Sequence, residues 1–193
     1  MKVQPKLGVA SLFEALRGSL WRFGNLEETI VKKIFVSTAI AISAMIVPAS
    51  AQSLVPWGSS EYWDVLIDPS LGDGCLIQSE FDDGSVVRIG FDRNKGEGYV
   101  TAFNGAWGDI EEGAKYSILF QLDGEDYNAE ATGMYLNGVP GADIPFDNPD
   151  FLFDLARKYT MTVFNESGEV MAIDLTGSYQ ALEAAMECQE EQG

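Results

Sequence analysis

From residue 62 to residue 175 the hydrophobic positions recur mostly at every second residue, and short clusters of Gly, Asp, Asn and Pro break the rhythm. Period-two alternation gives a strand one buried face, so the pattern predicts β-strands joined by turns. Tyr62 to Asp68 places Trp63, Val65 and Ile67 on one face and stops at Asp68-Pro69. Cys75 to Phe81 and Ser85 to Asp92 flank Asp82-Asp83-Gly84, a hairpin whose Asp-Gly supplies a positive-φ turn. Its second arm turns Val87, Ile89 and Phe91 inward and Val86, Arg88 and Asp92 outward. Asn94 to Gly98 is a loop, Tyr99 to Asn104 the next strand, and Gly105 to Gly113 a turn around Trp107 and Ile110. Tyr116 to Leu122 alternates again, Asp123-Gly124-Glu125-Asp126 turns, and Asn128 to Leu136 is a weaker strand. Five or six antiparallel strands in succession read as a meander.

Two stretches switch to helical spacing. Asp147 or Asn148 caps the first, Pro149 occupies its first position, and Phe151, Leu152, Leu155 and Tyr159 form its apolar stripe, closed by Arg157 and Lys158. A second hairpin, Thr160 to Phe164 and Glu169 to Leu175, turns around Asn165 to Gly168. The last helix starts near Ser178 and carries Ala181, Leu182, Ala185, Met186 and Cys188 on one side, leaving Gln189 to Gly193 as a frayed tail. Pro140-Gly141 is the one candidate hinge. The expected fold class is α+β, mainly an antiparallel β-sheet or partly closed barrel carrying two helices.

The N-terminal part follows other rules. Lys32-Lys33 precede the fourteen-residue apolar run Ile34 to Val47, and Pro48-Ala49-Ser50-Ala51 offers a small-x-small cleavage site, so residues 31–51 read as a secretory signal peptide cut after Ala51. The run is too short and too rich in Ser and Thr for a permanent span, which requires ~20 apolar residues. Residues 1–30 are an extension, either upstream of the true start or an amphipathic helix through Leu12, Phe13, Leu16 and Leu20. Residues 52–193 are then a single exported domain, periplasmic or secreted.

Charge changes the picture of what that domain meets. The chain holds 30 acidic and 12 basic residues and no histidine. Three of the acidic and six of the basic residues precede residue 52, so the exported part carries a net charge of −21. Such a surface repels phosphate backbones, which excludes nucleic acid, and favours a cationic protein or peptide, with solubility in a saline medium as the plain alternative. Without histidine, Ser-His-Asp and Cys-His catalysis and most zinc sites cannot be built.

Carboxylate pairs are the catalytic chemistry left open, as in a hydrolase acting on envelope glycan, yet 27 acidic residues supply such pairs by chance. A calcium site is not expected: Asp92 to Gly98 starts like an EF-hand loop but has Gly96 where a ligand belongs, and the other acidic clusters read as turn residues. No cofactor and no metal is implied. Cys75 and Cys188, the only cysteines, form an even pair in an exported domain and read as one disulfide. Closing the loop between them is worth about 4–5 kcal/mol. Trp57 and Trp107, each beside glycine in loop-like stretches, and the acidic turn Asp123, Glu125 and Asp126 are the candidate binding residues, since Trp and Tyr dominate binding hot spots.

The succession of Trp63, Cys75, a sheet region, Gly168-Glu169-Val170, Ile173-Asp174-Leu175-Thr176-Gly177-Ser178 and Ala181-Leu182 resembles small exported alphaproteobacterial proteins, including the invasion-associated locus B family. The resemblance implies a periplasmic or surface β-rich protein and assigns no catalytic residue. The expectation is a disulfide-stabilised, acidic, non-enzymatic domain that binds an envelope or extracellular partner. A hydrolase or an inert accessory envelope protein are the alternatives.

Overall fold

The structure, a computed structural model, describes residues 53–193. The predicted signal peptide and the extension before it lie outside the described residues. Ten strands form one antiparallel sheet: β1 Val55–Ser60, β2 Trp63–Asp68, β3 Gly74–Glu80, β4 Val86–Asp92, β5 Glu97–Phe103, β6 Lys115–Leu122, β7 Glu125–Leu136, β8 Val139–Phe146, β9 Thr160–Asn165 and β10 Gly168–Asp174. Two helices accompany it, α1 Phe151–Ala156 and α2 Ser178–Glu191.

The order across the sheet is β1-β2-β3-β4-β5-β8-β7-β6-β9-β10. β2 to β5 form the meander that their alternation predicts, with β1 added at the edge, but the expected continuation from β5 into β6 does not form. The next three enter in reverse, because β8 pairs with β5 through Gly98–Phe146 to Phe103–Gly141, while β6 receives β9. β1 and β10 remain as edges, so the sheet is not closed by hydrogen bonds. It nevertheless curls: Trp63 and Val65 of β2 share one buried cluster with Met171 and Ile173 of β10. The Trp63 Nε1–H donates across the gap to the Thr176 carbonyl at 3.1 Å.

The hydrophobic core fills the inside of this curl. Val65, Ile77, Val87, Ile89, Leu152, Leu155, Met161, Ala181, Leu182 and Ala185 are fully buried. α2 closes one end by packing on β1, β2 and β3, and α1 packs on α2 and β5. Its first residue, Ser178, is buried and follows Gly177, whose φ of 80° and close approach to the Glu61 side chain leave no room for a Cβ. The predicted disulfide is present: Cys75 of β3 and Cys188 of α2, both fully buried, are bonded with Cα atoms 6.2 Å apart.

Several expectations are corrected. Pro140-Gly141 is no hinge but part of β8, buried between β5 and β7, and the Pro140 carbonyl accepts the Asn104 amide at 3.1 Å. Trp57, expected in a loop-like stretch, lies in β1. α1 ends before Tyr159, which is 77% exposed, because the chain must already extend into β9 at Thr160. Met186 lies on the open side of α2. The tail expected to fray is helical to Glu191, held by Gln189, whose Oε1 accepts the Cys75 amide at 3.0 Å. Asp92, placed outward by alternation, is buried at the strand end, where its carboxylate accepts the Asn94 and Lys95 amides. Among the described residues no helix is long and apolar enough to cross a membrane.

Candidate functional site

The curl leaves a cleft where the two ends of the sheet approach without pairing. Its volume is ≈ 480 Å³, and Tyr62, Trp63, Phe81 and Met171 supply aromatic and apolar surface. Trp63 and Phe81 meet edge to face at 6.4 Å between ring centroids. Four carboxylates line the same cleft: Glu80, Asp82 and Asp83 from the β3–β4 hairpin, and Asp174 from the end of β10.

Local backbone chemistry fixes two of them. Asp83 closes the hairpin turn by accepting the Ser85 amide at 2.9 Å and the Ser85 hydroxyl at 2.8 Å. These bonds hold its carboxyl below the ordinary value of 3.8, the amide contributing most. Asn104 braces the arrangement, its Nδ2–H donating to Asp83 at 3.1 Å and to the Ser85 hydroxyl at 2.8 Å. Asp174 accepts the Thr176 amide at 2.9 Å, and the Thr176 side chain and amide likewise lower its pKa.

No cation balances this cleft among the described residues. Lys95 pairs with Asp92 and Glu97, Lys115 with Glu130, Arg157 with Asp154 and Lys158 with Glu125. Arg93 donates to the Gly72 and Gly193 carbonyls, and Arg88 donates to Gln78 while lying over the Phe103 ring. Those six are all the basic residues beyond residue 52, and each is committed elsewhere.

The residues singled out in the sequence lie apart. Trp57 belongs to β1, is half-buried, and its Nε1–H donates to Glu191 of α2 at 2.8 Å. Trp107 closes a 3-10 turn, Gly105–Trp107, whose cap is Asn104, with Oδ1 accepting the Ala106 amide at 2.7 Å. The acidic turn stands at the other end of the β6–β7 hairpin from the loop that carries Trp107, about 20 Å away at ~3.3 Å per strand residue. Its carboxylates serve the fold: Asp123 accepts the Tyr159 and Thr160 amides, each at 3.0 Å, Asp126 accepts from Gln121 at 2.7 Å, and Glu125 faces Lys158 at 3.7 Å.

Sequence reasoning missed the cleft. Asp82, Asp83 and Asp174 read as turn and strand-end residues, which they also are, and only the curl brings them to one opening. The single available signal was the acidic density of Glu80 to Asp83 on a hairpin tip. No group of three or more His, Cys, Asp or Glu residues is placed to hold a metal ion among the described residues.

Fold and cleft together define an open, disulfide-linked antiparallel barrel with an acidic seam. Among solved structures, the crystal structure of invasion associated protein B from Bartonella henselae is similar, with a TM-score of 0.50 and 13% sequence identity, covering 72% of this chain and 99% of that chain. At that identity the likeness is one of fold. No family model matches the chain, and no curated protein matches it.

Proposed function

We propose that the chain is an exported, non-enzymatic binding module, periplasmic or secreted after cleavage at Ala51, that captures a cationic protein or peptide in the acidic seam. The shared fold supports placing it beside the invasion-associated locus B proteins. The observation that carries the reading is a cleft with four carboxylates, an aromatic floor and no counter-charge among the described residues. A basic side chain entering it meets charge, while its aliphatic stem lies on Tyr62 and Phe81, the lining rings that reach the surface. Carboxylate hydrolysis needs one acid kept protonated near neutrality beside an ionised partner. Hydrogen bonds from Ser85 and Thr176 instead hold Asp83 and Asp174 below the ordinary carboxylate value, which favours binding over catalysis.

The test is titration of the disulfide-formed protein with a lysine-and-leucine peptide, against a glutamate-and-leucine control, at low and high salt. Binding of the basic peptide alone, weakened by salt and cut more than tenfold in a Glu80→Gln/Asp82→Asn/Asp174→Asn variant, is the expected result. Binding that the triple variant leaves unchanged would remove the reading.

A further inference from the structure

The other mouth of the curl carries a second site, which shares Met171 of its lining with the seam. α1 and α2 cover one end of the sheet's inner face, and at the other end that face opens into a cavity of ≈ 430 Å³. Its volume is within the range of small-molecule sites, ~300–1,000 Å³. A pocket of that size has room for a single alkyl chain. Val100, Ile118, Ile144 and Ile173, each at most 9% exposed, supply its walls. Apolar atoms facing a void forgo dispersion contacts that a hydrocarbon chain would restore.

The roof is built rather than incidental. Trp107 and Ile110, both half-buried, lie over the opening on the loop between β5 and β6. The Asn104 cap holds the loop at its start, and the Tyr135 hydroxyl holds its middle, donating to the Ile110 carbonyl at 2.6 Å and accepting the Ile110 amide at 3.3 Å. The Tyr116 hydroxyl accepts the Glu111 amide at 3.0 Å, and the Gly113 amide donates to the Gly133 carbonyl at 2.8 Å. Gly133 has no space for a Cβ, because the Glu111 carbonyl would lie 2.4 Å from it. A roof pinned at four points keeps the cavity open before any ligand arrives.

The charges at the mouth choose the head group. Asp109 and Glu169 line the opening, both exposed, and neither has an ion-pair or hydrogen-bond partner for its carboxylate among the described residues. No basic residue lines it. A carboxylate or phosphate head would meet two like charges, whereas an ammonium head meets two opposite ones. We infer that this cavity binds a single-chain amphiphile with a cationic head group, its alkyl chain between the sheet and Trp107 and its ammonium between Asp109 and Glu169.

Calorimetric titration of the protein, purified after export with its disulfide formed, would test this with decyltrimethylammonium and with decanoate, both below their micelle concentrations. The expected result is saturable binding of one decyltrimethylammonium per chain, at least tenfold tighter than decanoate. Asp109→Asn/Glu169→Gln, two exposed changes that leave the core untouched, should bring the two ligands within about threefold of each other. Ala142→Phe, which fills the cavity, should abolish binding of both, provided its melting transition shows it folded. The seam variant Glu80→Gln/Asp82→Asn/Asp174→Asn should bind decyltrimethylammonium as before, so the two sites fail or survive separately. Equal affinity for both ligands in the unaltered protein, absence of saturable binding, or a preference unmoved by Asp109→Asn/Glu169→Gln would overturn the inference.

Discussion

Trp63 of β2 and Thr176, just beyond β10, are joined by one hydrogen bond at 3.1 Å across 113 residues of sequence. The indole is 2% exposed, so this bond and its packing are what draw the last strand toward the first ones. Replacing Trp63 by Phe keeps a ring in the core but removes the donor and part of the volume. We expect a loss of about 1–3 kcal/mol in urea unfolding, summing one hydrogen bond and a partial cavity. Susceptibility of the β10–α2 connection to proteolysis should rise with it. An unchanged midpoint together with unchanged proteolysis would mean that the seam is held by other contacts.

The Cys75–Cys188 bond joins β3 to α2, and Gln189 beside it reaches back to the Cys75 amide and the Asp73 carbonyl. A Cys75→Ala/Cys188→Ala protein should lose about 2–5 kcal/mol, since a long loop is freed in the unfolded chain. α2 docks mainly against β1, β2, β3 and α1, so hydrogen exchange should quicken first in that helix. Uniform quickening across the sheet would instead show that the bond holds the whole barrel.

Strands buried on one face were legible because alternation is the direct imprint of a half-buried strand. β4, β6 and β10 follow it over most of their length, whereas β3 is buried from Gly74 to Ile77 on both faces. β8 was not legible: Val-Pro-Gly-Ala-Asp-Ile-Pro-Phe carries the punctuation of a turn, yet β5 and β7 on either side satisfy it as a central strand. β1 shows no alternation, because only Trp57 and Ser60 turn any face inward. The disulfide could be read from an even pair of cysteines in a domain expected to be exported. The seam could not, because Asp174 and Asp83 become neighbours of one cleft only after ten strands have curled.

Asp143 stands on the outer face of β8, opposite Ala142 and Ile144, and accepts the Thr101 hydroxyl at 2.9 Å. Burial pushes its pKa above the ordinary 3.8, more than the Thr101 bond and Lys95 bring it down. A carboxyl whose folded pKa is raised takes up its proton in the folded state first, so its ionised form weakens the fold above that pKa. Asp143→Asn, which can still accept from Thr101, should therefore be more stable than the unaltered chain at pH 7. The advantage should shrink as pH falls through the raised pKa and vanish below 3.8. An advantage that stays constant with pH would show that charge is not its source.

Asp123 joins the β6–β7 turn to the start of β9. It adopts a φ of 52°, its amide donates to the Thr160 carbonyl at 3.1 Å, and its carboxylate accepts the Tyr159 and Thr160 amides. Two backbone donors at the entry to β9 are thus satisfied by one side chain. Asp123→Ala loses both bonds, and we expect it to cost about 1–3 kcal/mol in urea unfolding, two hydrogen bonds at ~0.5–1.5 kcal/mol each. Asp123→Asn keeps an accepting oxygen and should recover most of the loss. Because this turn lies far from the seam, neither change should alter salt-dependent binding of the lysine-and-leucine peptide. A large drop in that binding with stability intact would move the cationic site from the seam to the turn formed by Asp123, Glu125 and Asp126.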